Sequence, residues 1–474
     1  MKKTNFQFFA TLLLALLLST AWSQDSDLQY FRKWNRNGIN VFEPSKDAEQ
    51  PAFDGLKLKL GASFSQEFQS LTHSNTPNYV PEFGNPQYNA TRLFATTSSD
   101  STSATLAGFN TAMANLTIDA QLADGIRMCV ESYMSSRHHN EFWVKGGYIQ
   151  VDKLPMFGNP EWFSKYLRLK VGHYMPNYGD MHFRRTDGGN TMYNPFVENY
   201  ILDAFTTEIG GDISFFPIKG LMILGGMTNG VLHGNLKIDD KKAKPAPNTG
   251  DSTKTAPAFI GKIAYDNNFG GLRLRVSASF YHNSGSDNQT LYYGDRAGSH
   301  YFMIMEPNRS LQFPEGIPTV IAQSNPINNK DSGRFDPLFH SKVSAFMLNL
   351  LGKYKGLECF LTYENSKGRF WQEGPDERKV SQVAGELIYR FAKNENLFIG
   401  LRYNKVNCRP YIHPFDPTPR QDASIDRLTI SAGWYPLKYI VVKAEYVNQS
   451  YKDFLDYRRD GKFNGFVLQT AVSF

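Results

Sequence analysis

The chain reads as an all-β protein: a transmembrane antiparallel β-barrel of about 16 strands with short periplasmic turns, long extracellular loops and a third loop folded into the lumen. Three observations predict this. Segments of strict apolar and polar alternation recur along the chain, and the connections between them alternate between short and long. After Ser23, no stretch approaches the roughly 18 consecutive apolar residues that a membrane-spanning helix needs.

The first 23 residues have a basic start at Lys2 and Lys3, an apolar run from Phe8 to Leu18 and a small-residue ending at Ala21 and Ser23. That pattern predicts a secretory signal peptide, residues 1–23, and therefore export across the inner membrane. Its removal lowers the formal charge from +6 to +4, too mild a balance to argue for nucleic acid as a partner. Residues 24–55 are polar, with Arg32, Lys33 and Arg36 among aromatics, and read as a periplasmic or lumenal N-terminal segment ahead of a barrel over 56–474.

The first strand is visible in LKLKLGASF, where Leu56, Leu58, Leu60, Ala62 and Phe64 share one face and Lys57, Lys59, Gly61 and Ser63 the other. Residues 115–122 and 126–131 repeat the pattern around Ala123-Asp124-Gly125, a tight turn between alternating runs and hence a hairpin. Further runs fall near 143–152, 165–174, 204–215, 219–229, 256–266 and 270–281. The last are near 341–353, 356–365, 379–391, 395–405, 425–435, 438–449 and 463–474. Long connections span roughly 67–111, 172–203, 230–255, 282–340, 366–378, 406–424 and 450–462. The short ones hold two or three residues, except for 153–164, where Pro160 could open a helical turn. A soluble sandwich or propeller has no reason to keep that parity. The chain stops on Phe474 after an apolar face of Phe466, Leu468 and Val472, an ending like the assembly signal of outer-membrane proteins.

Since the apolar face must meet lipid, the other face lines the lumen. This assigns Lys57, Lys59, Arg127, Arg168, Lys170, Lys262, Arg273, Arg275, Arg390, Arg402, Arg427 and Lys443 to the lumen wall, against Asp119, Glu131, Glu358, Glu364, Glu386 and Glu445. The basic excess predicts a positive field and a weak preference for anions. Pairing across strands, which would only keep the wall hydrated, is the plainer alternative. Cys129 faces the lumen and Cys359 faces lipid, so these two are not expected to pair.

Chemistry for catalysis is sparse. The chain has no G-x-S-x-G, HExxH or P-loop, and no enzyme activity, cofactor or metal is expected. His73 and Ser74 are the nearest thing to a hydrolase pair, and His138, His139 and Glu141 the nearest to a surface metal site; both read more simply as loop polarity. The dense stretch is Gly172 to Asp203, the third extracellular loop when connections are counted from the first strand. Arg184 and Arg185 offer planar donors suited to phosphate or carboxylate, with His173 and His182 nearby and Gly188-Gly189 permitting a sharp reversal. The four residues Arg184, Arg185, His182 and His173 are the candidate anion-attracting constriction. The alternative is that the arginines pair with Asp180, Asp187 or Glu198 and brace the loop.

FSQEFQSLTHSN (64–75), ANLTIDAQLADGI (114–126), SSRHHNEFWVKGGYIQVDKLP (135–155) and above all YGDMHFRRTDGGNTMYNPFVENYILDAFTTEIGG (178–211) resemble porin-like outer-membrane proteins of the Bacteroidota, related to the phosphate-selective porin O and P group. The resemblance is specific over about 64–230 and looser beyond. It implies a 16-stranded porin in the bacterial outer membrane, in contact with its lipid and passing small hydrophilic or anionic solutes. The lysine cluster of that group's channel is not recognisable here, so no ligand comes with the resemblance, phosphate included. Homotrimers are an analogy from fold. The competing expectation is a non-conducting structural or assembly barrel whose long loops bind another protein.

Overall fold

The inward and outward faces are inverted relative to a water-soluble protein. Large apolar side chains such as Leu58, Val171, Ile213, Val276, Leu387, Ile430 and Leu468 are exposed, whereas Arg402, Arg427, Lys443, Glu358, Glu386 and Glu445 are buried. Only a surrounding apolar solvent makes that distribution favourable, so the strands span a membrane. The computed structural model describes residues 28–32, 41–76, 93, 95–96, 103–136, 142–232, 256–286, 288–307, 309–312, 319–322, 331–373, 376–414 and 419–474. The predicted signal peptide, residues 1–23, and the His138, His139 and Glu141 group lie outside these residues.

Barrel strands follow one another in sequence order. They are β1 (Lys57–Ser74), β2 (Ser103–Phe109), β3 (Met113–Ala123), β4 (Ile126–Ser135), β5 (Phe142–Val151) and β6 (Leu167–Tyr174). Then come β7 (Glu208–Phe215), β8 (Leu221–Thr228), β9 (Ala258–Phe269) and β10 (Leu272–Asn283). A separate two-stranded ribbon, β11 (Arg309–Gln312) and β12 (Thr319–Ala322), sits in the longest connection. The wall resumes with β13 (Lys342–Tyr354), β14 (Leu357–Arg369), β15 (Arg378–Phe391), β16 (Leu397–Cys408), β17 (Ala423–Leu437), β18 (Ile440–Lys452) and β19 (Lys462–Ser473). β1 and β19 pair antiparallel from Ser63↔Ser473 to Ser74↔Lys462, which closes the sheet, and Ala62 and Phe474 exchange backbone hydrogen bonds of 3.1 and 3.0 Å at the seam.

β2 and β3 both pair with β1, above and below a kink where Asn110, Thr111 and Ala112 face only Gln66 and Glu67. They form one spanning strand with a bulge, so the barrel has 16 strands. The alternation had placed 67–111 in a loop; instead β1 runs on to Ser74 and β2 rises beside it. The physical reason lies on the outer face. Beyond Phe68 the outward positions of β1 become Ser70, Thr72 and Ser74, so the apolar signal stops where the lipid stops while the backbone ladder continues. Thr72 and Thr105 hydroxyls bond across the strands at 2.7 Å.

The predicted helical turn before β6 is present as a 3₁₀ turn, Pro155–Phe157, and a short helix α1, Glu161–Tyr166. Two connections enter the barrel. L3, residues 175–207, carries 3₁₀ turns at Met181–Arg184 and Gly188–Met192. L5, residues 284–341, packs Tyr301, Ile304 and Phe335 into the same interior cluster as Val197, Ile201 and Leu202 of L3. The N-terminal segment enters from the short-turn end: Gly125 N–H donates to Gln29 Oε1 at 2.7 Å, and Lys46 pairs with Asp152 at 3.0 Å.

Candidate functional site

L3 is attached to the wall through its backbone. Gly179 has φ of +66°, a conformation that favours glycine, and a Cβ there would lie 2.2 Å from Met347 Sδ and force that side chain to move. That close approach lets Gly179 N–H donate to Ser279 Oγ at 2.8 Å and Asp180 N–H donate to Asn349 Oδ1 at 2.8 Å. Further along, Val197 N–H donates to Glu445 at 2.7 Å, Ile201 N–H to Asn404 at 2.7 Å and Leu202 N–H to Gln382 at 3.0 Å. Arg402, Arg427 and Lys443 return bonds to the carbonyls of Glu198, Asn199 and Thr191 at 2.6, 2.7 and 2.8 Å. Backbone groups of an irregular loop inside a barrel have no ladder of their own, and inward polar side chains supply their partners.

The two adjacent arginines of L3 sit deep in this packing. Arg184 donates to Glu358 at 2.8 Å and Glu386 at 2.7 Å. Arg185 binds Asp187 at 2.9 Å, Asp295 at 2.8 Å and Asp203. Glu198, the other acidic member of the stretch, accepts from Arg334 at 2.8 Å and Ser299 at 2.7 Å; burial raises its carboxyl, but Arg334, His300 and Arg427 outweigh that and hold it at about 2.

A cavity of about 160 Å³ remains on the other side of L3, between it, the N-terminal segment and the wall from β3 to β8. His173 and His182 line it; Arg184 and Arg185 do not. His173 Nε2 bonds the Thr207 hydroxyl at 3.0 Å. His182 is buried against Phe183, and burial, with Lys262 close by, pulls its imidazole down to about 3, so it is neutral at ordinary pH. Of the twelve wall cations, Arg127, Arg168 and Lys170 reach the cavity. Lys57 pairs with Asp54 at 2.7 Å, Lys59 lies over the Phe31 ring, and Arg273 pairs with Asp266 at 2.6 Å. Arg275 holds Glu43 and Asp180 at 2.8 Å each, Arg402 holds Glu386 at 2.9 Å, and Arg427 is spent on loop carbonyls.

Register explains the cavity wall. Arg127, Gln150, Lys170 and Asp212 are successive cross-strand partners on β4, β5, β6 and β7, one inward row. Below them Cys129 is opposite Tyr148. Lys170 Nζ lies 4.1 Å from the Tyr148 ring centre and 4.3 Å from that of Tyr174, and it has no ion pair among the described residues. Lys145, which the alternation did not single out, is the extra residue of a bulge: Gly146 is opposite Glu131 and Val144 opposite Ser132, leaving Lys145 to project inward toward Glu131 and Asp187 at 3.0 and 2.9 Å. The Gly146-Gly147 pair beside it was the available signal. From the N-terminal segment come Arg32 and Glu43; burial raises the Glu43 carboxyl, yet Arg275 and Lys262 hold it at about 2.

His73 and Ser74 are consecutive on β1 and therefore point to opposite faces, His73 buried and accepting from Met305 N–H at 3.1 Å, so they do not form a dyad. Cys129, Cys359 and Cys408 are all free thiols.

What the fold and lumen define is a membrane-spanning β-barrel whose interior is divided between a packed region and a polar cavity. No family model matches the chain, and no curated protein matches it in sequence. Among solved structures it is similar to an anion-selective porin from Comamonas acidovorans, at 7% identity and a TM-score of 0.48 over 88% of this chain and 100% of that one. It is also similar to the outer-membrane channel DcaP of Acinetobacter baumannii, at 11% identity and 0.48 over 89% and 99%. OmpT, an outer-membrane protein of Vibrio cholerae, gives 10% identity and 0.45 over 90% and 100%.

Proposed function

We propose that the chain is a porin of the bacterial outer membrane, through which small hydrophilic solutes diffuse past the inward-folded L3. The supporting observation is the polar cavity of about 160 Å³ left between L3 and the β3–β8 wall inside a closed barrel. One water needs roughly 10–15 Å³ by this measure, so the space suits hydrated ions and small solutes. In that membrane L3 and L5 enter from the cell surface.

Selectivity follows from the lining. Arg32, Arg127, Lys145, Arg168 and Lys170 face Glu43, Asp119, Glu131 and Asp212, an excess of one positive charge, which favours anions weakly. Nothing in that set singles out phosphate. Arg184 and Arg185 then act by holding L3 in place, and the field that solutes meet comes from the wall cations.

A second reading, a non-conducting barrel within a surface complex, is favoured by the density of the packed region, where L3 and L5 residues such as Val197, Ile201, Tyr301 and Ile304 are fully buried. Planar-bilayer recording decides: stepwise conductance is expected, and a correctly refolded protein that never conducts would sink the porin reading. Reversal potentials in a salt gradient then test anion preference.

A further inference from the structure

Three buried polar atoms on the cavity lining have no hydrogen-bond partner among the described residues: Arg127 Nε, Arg168 Nη2 and His182 Nδ1. Each belongs to a side chain more than nine-tenths buried, at 5, 5 and 7% exposure. Buried polar atoms are nearly always satisfied, and unsatisfied ones facing one cavity mark a place where a group from outside completes the network; the two arginine atoms are donors and call for an acceptor. Beside them Lys170 lies against two aromatic faces, with Asp212 opposite it on β7 but in no ion pair with it.

The three elements that carry these groups converge for structural reasons. Arg168 and Lys170 are two residues apart on β6 and share its inward face. Arg127 is two strands away in the row that contains Lys170, roughly 10 Å at the usual strand spacing. Both Arg127 and Lys170 are set against the Tyr148 ring, at 5.8 and 4.1 Å. His182 reaches the same space from L3.

Two further properties narrow the ligand. The lining carries one net positive charge, which a monoanion neutralises and a multiply charged phosphate ester would overfill. Phe31, Phe42, Tyr148, Tyr174 and Phe183 also line the cavity. A bare inorganic ion would leave those rings against water, while a ligand with a flat apolar part would cover them.

We propose that the lumen cavity is a binding site for a small organic monocarboxylate, its carboxylate received by Lys170 and the unpartnered donors of Arg127 and Arg168, and its apolar part held among the Tyr148, Tyr174 and Phe183 rings. This rests on the porin reading only for its purpose, since binding itself needs no conduction. Transport through such a site requires a weak affinity, enough to enter and still leave.

The test is equilibrium binding to the full-length protein refolded in detergent, with benzoate as the probe and acetate, benzamide and inorganic phosphate as comparators, followed by calorimetry. Benzoate is expected to bind saturably, and at least tenfold more tightly than any comparator. Lys170→Gln, which breaks no ion pair, should weaken benzoate about tenfold while leaving benzamide unchanged. Tyr148→Leu should weaken benzoate but not acetate. Phosphate binding as tightly as benzoate, no saturable binding, or insensitivity to Lys170→Gln in a protein with native strand content would each overturn the site. Saturable benzoate binding without conductance overturns the porin reading alone; conductance without binding overturns the site alone.

Discussion

The two halves of the lumen use the same residue types to opposite ends. Against β13–β18, arginine and glutamate are consumed in pairs and in bonds to loop backbone: Glu386 alone receives Arg184, Arg402 and Tyr200. Against β3–β8, whose strands β6, β7 and β8 have only eight residues each, cations and rings surround open space. Charge in the first region is structural cement, since a buried ion stripped of its partner is costly. In the second, Arg127, Arg168 and Lys145 are paired with Asp119, Asp152 and Glu131 at 2.5, 2.9 and 3.0 Å, but they border open space, and Lys170 has no ion pair among the described residues. The sign of a side chain therefore says less about its role than whether a loop has been folded onto it.

The largest effect that could break this contrast is loss of Glu386. Glu386→Ala would leave Arg184 with Glu358 alone and take from Arg402 its carboxylate partner, at a cost of roughly 3–5 kcal/mol, and is expected to release L3 to limited proteolysis and lower the urea midpoint. A midpoint within error of wild type would mean that L3 is not braced from the wall. Next in size is acid. The Glu43 and Glu198 carboxyls lie at about 2 in the folded protein, below their ordinary value of 4.5. Their contribution is therefore complete above about pH 4.5 and is lost as pH falls toward 2, roughly 3 kcal/mol each at most. Urea titrations at stepped pH should show the midpoint dropping across that window, and a flat profile would contradict the ion pairing.

A matched pair of enlargements sharpens the comparison. Thr429→Trp, in the packed half, should cost about 1–3 kcal/mol by overpacking and leave conductance unchanged. Thr117→Trp, on the cavity lining, should cost little stability and reduce single-channel conductance severalfold. Equal effects of the two on conductance would erase the distinction between the halves. Smallest of all is Lys57→Gln at the short-turn rim, where the pair with Asp54 is largely open to solvent: the urea midpoint and the selectivity should both be unchanged.

How much of this was legible varies by region. Where outward positions are apolar, as in β13–β19, alternation located each strand to within a few residues, because lipid demands the same face of every residue pair. It failed above Phe68 and across β2, where strands leave the lipid and keep only their backbone bonds. The site was harder to read. Lys145 was hidden because a bulge breaks the period of two, and the partners of Arg184 stand 174 and 202 residues further along the chain. Arg32 and Glu43 come from a segment with no period at all.

The sequence by itself determined the barrel, its two faces and the rhythm of its connections, because each follows from local side-chain alternation against a uniform solvent. Which charges are spent and which remain for a solute was decided only by the tertiary structure. That outcome depends on where L3, L5 and the N-terminal segment come to rest inside the wall, and such contacts between distant residues leave no period to read.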